Sequence, residues 1–174
     1  MCSLYSDRKY HHLIASGSSD TNAKIWDLRT KNCQGNIKNH NKKVTALSIS
    51  AESRILATGG QDGVVQTFDL KMMKPLFQYE IGAPVLSLDC RHDYLAVGSM
   101  DRLARVFELD APFSQVGSTK NETMPISSVV FHKSDFLFTA GTDNLKVWDL
   151  SNDFQMTDNI ETNSKGILHM VVSP

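Results

Sequence analysis

An aromatic residue followed by an acid occurs four times in this chain at nearly even spacing: Trp26-Asp27, Phe68-Asp69, Phe107-Glu108 and Trp148-Asp149. The aromatics lie 42, 39 and 41 residues apart. Each pair closes a similar segment: "LIASGSSDTNAKIWDL", "ILATGGQDGVVQTFDL", "YLAVGSMDRLARVFEL" and "FLFTAGTDNLKVWDL". In every copy an apolar run enters a turn of small residues holding one Asp, and a second apolar run leaves it. Stretches such as "VVQTFDL" alternate with period two, as a half-buried strand requires, and no stretch has the period of an amphipathic helix. A unit of about forty residues that cannot bury its own faces must stack on its neighbours.

Another apolar strand lies ahead of each copy: "KVTALSIS", "APVLSLDC" and "PISSVVFH", with the stub "MCSLYS" serving the first. An outer strand follows each aromatic-acid pair, near Cys33–Ile37, Pro75–Glu80, Phe113–Val116 and, weakly, Phe154–Thr157. Each unit is thus four antiparallel strands, and the fold expected is an all-β β-propeller. Its blades span approximately residues 1–40, 41–81, 82–120 and 121–160, and "GILHMVVS" (166–173) reads as the first strand of a further blade.

The turn aspartates are Asp20, Asp62, Asp101 and Asp143. An Asp in a tight turn accepts backbone N–H groups and pins the bend, so these four read as structural. Over nearly its whole length the chain resembles the WD-repeat family. That resemblance implies a buried relay from a His through a Ser or Thr and the turn Asp to the Trp. The first blade has Ser16, Asp20 and Trp26. The second has His40, Thr58 and Asp62, but Phe68 cannot donate an indole N–H. The third, with Val97 and Phe107, keeps only Asp101. The fourth has Thr139, Asp143 and Trp148 without the His. Its turn is also one residue shorter, since Asp and aromatic are five apart instead of six.

Most WD-repeat rings have seven blades, which at this period needs roughly 280 to 300 residues. With 174 residues, and a first blade that has its own inner strand, the chain is expected to form an open arc of about four blades. A closed four-bladed ring is the alternative. An arc exposes the apolar faces of its end blades, so poor behaviour in isolation is expected.

No catalytic motif is evident: there is no nucleophile elbow, Walker loop, HExxH or dinucleotide fingerprint. "GGQDG" (59–63) lies between strands, without the helix N-terminus that a phosphate loop needs. Three cysteines, Cys2, Cys33 and Cys90, have no metal or disulfide spacing. His11 and His12, being adjacent, point to opposite faces of a strand. No apolar run is long enough to span a bilayer, and the N-terminus lacks a secretory segment. The expectation is an intracellular non-enzyme with no cofactor, no metal, no small-molecule substrate and no membrane association.

Binding remains. The residues before the turn aspartates, Ser19, Gln61, Met100 and Thr142, form a candidate protein-binding face in this family. A second candidate is "RTKNCQGNIKNHNKK" (29–43), in which Arg29, Lys31, Lys38, Lys42 and Lys43 form a basic docking patch without an acid. Residues 1–74 carry 11 Lys/Arg and 6 Asp/Glu, whereas residues 75–174 carry 7 and 13. Such asymmetry bears on partners. An acidic polymer such as a tubulin tail or a nucleic acid fits the patch, although it has no aromatic platform for single-stranded bases.

Finer details, "ASGSSDTNAKIWDLRTKNC", "DLKMMKPLFQYE" and the short-turned "AGTDNLKVWDL", resemble the WD-repeat, non-catalytic subunits of katanin, the microtubule-severing complex. That resemblance implies a targeting role at centrosomes, basal bodies, spindles and microtubules, with tubulin and the katanin ATPase subunit as partners. The helical domain that grips the ATPase in that family is not among these residues. Adaptors of another complex, a ubiquitin-ligase receptor or a G-protein-β-like scaffold, are the alternative.

Overall fold

The computed structural model describes residues 5–6, 13–38, 40–50, 52–110, 112–120, 123–132, 135–142, 144–162 and 166–171. Among these there are sixteen strands and no helix. They form four antiparallel sheets, each built from four consecutive strands. The first holds β1 (Tyr5–Ser6), β2 (Leu13–Gly17), β3 (Ala23–Asp27) and β4 (Asn32–Ile37). The second holds β5 (Val44–Ser50), β6 (Ile55–Gly60), β7 (Val64–Asp69) and β8 (Lys74–Glu80). The third holds β9 (Val85–Arg91), β10 (Tyr94–Ser99), β11 (Ala104–Glu108) and β12 (Ser114–Ser118). The fourth holds β13 (Ser128–His132), β14 (Phe136–Ala140), β15 (Asn144–Asp149) and β16 (Gln155–Glu161). These are the blades of a β-propeller. The chain divides into two compact units, Met1–Val85 and Leu86–Pro174.

The fourth strand of each sheet is the most exposed, because it is a sheet edge. In the second sheet every residue of β6 is buried, whereas β8 is mostly exposed. The core of the first unit gathers Ala15, Ala23, Ile25, Val44, Leu47, Leu56 and Phe68 between sheets. The second unit repeats it with Ala96, Ala104, Val106, Ile126, Val129, Leu137 and Trp148. Close approach needs small residues at the end of the second strand. A Cβ on Gly17 would lie 2.7 Å from Val44, and one on Gly98 2.9 Å from Ile126 and Val129.

Each sheet carries a register shift immediately before its aromatic, at Ile25/Trp26, Thr67/Phe68, Val106/Phe107 and Val147/Trp148. A bulge at this point turns the strand and re-aims the side chain that follows. The acid after the aromatic then organises the next turn. Asp27 accepts the Arg29 N–H, Asp69 those of Lys71 and Met72, and Asp149 that of Ser151.

Within each unit, side-chain hydroxyls also bond backbone groups outside their own sheet. Thr45 Oγ1 donates to the Val85 carbonyl, and its own sheet's Gly59 carbonyl lies 3.1 Å away. Val129 N–H donates to Ser87 Oγ at 3.1 Å. Ser127 Oγ donates to the Ile167 carbonyl, and Met170 N–H donates to Ser128 Oγ.

Two expectations differ from what is observed. The weak fourth outer strand is a seven-residue strand, Gln155–Glu161. Every side chain in it is exposed, so no apolar alternation marks it, and its pairing with β15 creates it. Residues 166–171, expected as part of a strand, belong to no ladder. Their contacts run to the Ser127 and Ser128 hydroxyls and the Gly141 carbonyl, which do not make a ladder. Residues 172–173 lie outside the described residues.

Candidate protein-interaction surfaces

The second blade holds the most complete relay. Asp62 lies 3.1 Å from His40 Nδ1 through each carboxylate oxygen, and accepts the backbone N–H groups of Asn41 (2.8 Å) and Val64 (3.2 Å). A carboxylate only accepts, so His40 Nδ1 carries the proton. Nε2 of the same ring lies 2.9 Å from the Thr58 hydroxyl. Burial pushes the Asp62 pKa up, but the Asn41 N–H, the His40 ring and the Val64 N–H outweigh it and hold the carboxyl below its usual range.

In the first blade, the Trp26 indole N–H donates to Ser16 Oγ at 2.9 Å, yet Trp26 is 37% exposed. Asp20 is exposed and accepts the Asn22 N–H within its own turn. In the fourth blade, the Trp148 N–H donates to Thr139 Oγ1 at 2.9 Å, and both residues are buried. Asp143 lies outside the described residues.

The third blade corrects the reading that only Asp101 remains there. Arg105 donates to Asp101 at 2.6 Å and to Ser99 Oγ at 3.3 Å, and the Ser99 hydroxyl donates to Asp101. Leu103 N–H completes the set. Burial raises the Asp101 pKa, but Arg105, Ser99 and Leu103 together bring it below the ordinary value. A signal for Arg105 was present in the sequence. The residue four beyond the turn Asp is Lys24, Gln66 or Arg105, and in the short turn Lys146 takes the place. Lys24 and Lys146 lie 5.8 and 5.9 Å from the ring centroids of Trp26 and Trp148. Where Phe107 offers a weaker cation platform, Arg105 turns to the carboxylate instead.

The described turn carboxylates therefore bond within their own blades. Among the described residues no group of three His, Cys, Asp or Glu side chains could hold a metal. Ser19, Gln61, Met100 and Thr142 are all exposed at the turns between second and third strands. The basic run is divided by β4. Arg29, bonded to Asp27, and Lys31 lie at its start, while Lys38, Lys42 and Lys43 follow its end. A strand of six residues separates the groups by about 20 Å. Phe68 and Phe107 are buried in their sheets.

A cavity of about 290 Å³ opens between the outer part of the first sheet and the second sheet. Ile25, Gly35, Ile37 and Lys38 line one side, and Phe68, Asp69, Met73 and Pro75 the other.

The family model for nucleolar protein 10-like, N-terminal domain, matches residues 2–94, just over half of the chain. The chain belongs to this β-propeller family. It is a WD-repeat chain, and its relatives include known WD-repeat proteins. Protein SPA1-RELATED 3 of Arabidopsis thaliana is 31% identical over 143 residues, covering 79% of this chain and 17% of that protein. The small ribosomal subunit protein RACK1y of Oryza sativa subsp. japonica is 25% identical over 159 residues, covering 86% of this chain and 47% of that protein. The chain thus spans less than half the length of either relative. Among solved structures, the computationally designed Ika8 protein superposes with a TM-score of 0.86 at 19% identity, over 98% of this chain and 52% of that one. At that identity the likeness concerns the fold.

Proposed function

We propose that this propeller segment is a non-catalytic docking module that brings proteins together within a larger assembly. The observation that carries this reading is the use of its recurrent polar groups. Asp20, Asp62 and Asp101 are each occupied by partners in their own blade. Ser19, Gln61, Met100 and Thr142 beside the turns stay exposed. Chemistry on a substrate needs convergent groups free to react, whereas a docking surface needs a rigid frame with variable exposed positions.

The test is affinity capture on the purified chain, with Gln61→Arg and Met100→Arg as matched variants. A defined protein partner that binds the native chain and is lost from either variant supports the reading. Partners that ignore both substitutions count against this face.

The setting follows from the partner. The family's name and the RACK1y relative favour a nucleolar or ribosomal particle. The finer katanin-like reading, with a cytoplasmic and cytoskeletal location, rests on the exposed Met72 and Met73 of the Lys71-Met72-Met73 run and on the short fourth turn. Capture of tubulin or the severing ATPase supports that reading. Capture of ubiquitin-ligase subunits supports the adaptor alternative, and a fluorescent fusion distinguishes nucleolus from cytoskeleton.

A further inference from the structure

The two units treat one equivalent position differently. In the second unit, the Phe154 ring lies directly over Gly117 of β12, where any Cβ would collide with it, and Phe154 is buried. In the first unit, Met73 approaches Gly35 of β4 in the same way, but Met73 is 41% exposed and the cavity remains beside it. Both residues have a left-handed backbone, φ 51° for Met73 and 56° for Phe154, so they occupy corresponding places in corresponding turns. The second unit fills this site with an aromatic ring of its own. The first unit leaves it open, with Ile25, Phe68, Met73 and Pro75 as apolar walls.

The rim of this opening is basic. Lys38 lines it directly, and the exposed Lys71 and Lys74 flank Met73 in the turn. Asp69 is the acid in the lining, and its Oδ1 already accepts the Lys71 and Met72 N–H groups. The volume lies near the lower end of the roughly 300–1,000 Å³ typical of ligand clefts, which suits one or two side chains of a longer segment. Exposed Met72 and Leu76 extend the apolar surface outward.

We propose that this groove takes an acidic peptide segment of a partner protein, seating one apolar side chain beside Met73 while its carboxylates engage Lys38, Lys71 and Lys74. The proposal rests on the docking reading but uses a different surface from the turn face. Charge complementarity selects an acidic occupant, and the apolar walls favour a peptide over a nucleic acid, whose stacking needs exposed aromatics. Flexible Met side chains suit a site that adapts to its anchor.

The test is fluorescence anisotropy with a short labelled peptide of alternating Glu and Leu, the same peptide with Gln for Glu, and an oligouridylate probe. Expected is binding of the Glu/Leu peptide that weakens with salt, with the Gln peptide at least about tenfold weaker. Lys38→Glu weakens binding by about tenfold or more. Met73→Phe copies the arrangement of the second unit, so the fold is retained and the groove is closed to the peptide. Equal binding by native chain and Met73→Phe overturns the proposal, as does no binding by the native chain or a preference for the oligouridylate. A captured partner lost from Gln61→Arg but kept by Met73→Phe leaves the docking reading standing and refutes the groove. Loss in neither variant removes both.

Discussion

Replacing Asp62 by Ala removes the acceptor shared by three N–H donors. Asn41 is exposed, so water replaces its bond at little cost. Val64 is partly buried and loses roughly 1 kcal/mol. The His40 side chain is only 1% exposed, and either neutral tautomer leaves one ring nitrogen without a partner, which costs about 1–2 kcal/mol. The sum is about 2–3 kcal/mol, or about 5–10 °C in the melting midpoint for a chain of this size. Thermal melts followed by circular dichroism measure this, with Asp153→Ala as an exposed control. Asp62→Asn keeps one acceptor and should recover about half of the loss. The pH dependence has a definite sign. The folded carboxyl lies below its usual range, so its contribution is fully present above the unfolded value of about 4 and is lost as pH falls through the folded pKa. Native chain and Asp62→Ala should therefore differ at neutral pH and converge only in strong acid. An Asp62→Ala midpoint within about 1 °C of the native value would refute the relay argument.

Asp89, on β9, behaves in the opposite way: burial raises its pKa to about 6, against the Phe131 N–H bond and the Arg91 charge that lower it. Its contribution to stability should fall by about 3 kcal/mol as pH rises from about 4 to about 6 and then level off, a slope that denaturant titrations should find missing in Asp89→Asn. Arg105→Ala removes the cation beside Asp101 while its Ser99 and Leu103 bonds remain, and should cost about 1–2 kcal/mol by urea midpoint, a loss not expected if Asp101 had no side-chain partner on the facing strand. Trp148→Phe removes the buried indole N–H bond to Thr139 Oγ1 and should cost about 1–2 kcal/mol, whereas Trp26→Phe should cost under about 1 because its bond to Ser16 is exposed. Equal losses for the two tryptophans would show that exposure does not set the value of this bond.

Much of the fold could be read from spacing, because a blade is made of local antiparallel pairs and its aromatic, turn Asp and small residues recur at fixed offsets. His40, Thr58 and Asp62 lie far apart in sequence, and it was the WD-repeat resemblance that implied which of these groups meet. Arg105 was not legible because the relay pattern places a hydroxyl where Val97 stands, while the structure satisfies Asp101 from the facing strand. The outer strand β16 was faint because exposed edges need no apolar pattern. The basic run looked continuous from Arg29 to Lys43, but an extended strand sets its ends apart, and only packing shows that Met73 of the next blade meets its middle. A groove between neighbours has no linear spacing of its own.

The inner strands β9 and β13 of the second unit are joined by side chains of one of them. Ser87 accepts the Val129 N–H, Asp89 accepts that of Phe131, and Arg91 donates to the Phe131 carbonyl. Exchanging Ser87 for Ala would leave every ladder intact while loosening that joint, so the two sheets would behave as stiff leaves on a slackened binding. The joint between these two leaves is thus adjustable by changes too small to alter either leaf.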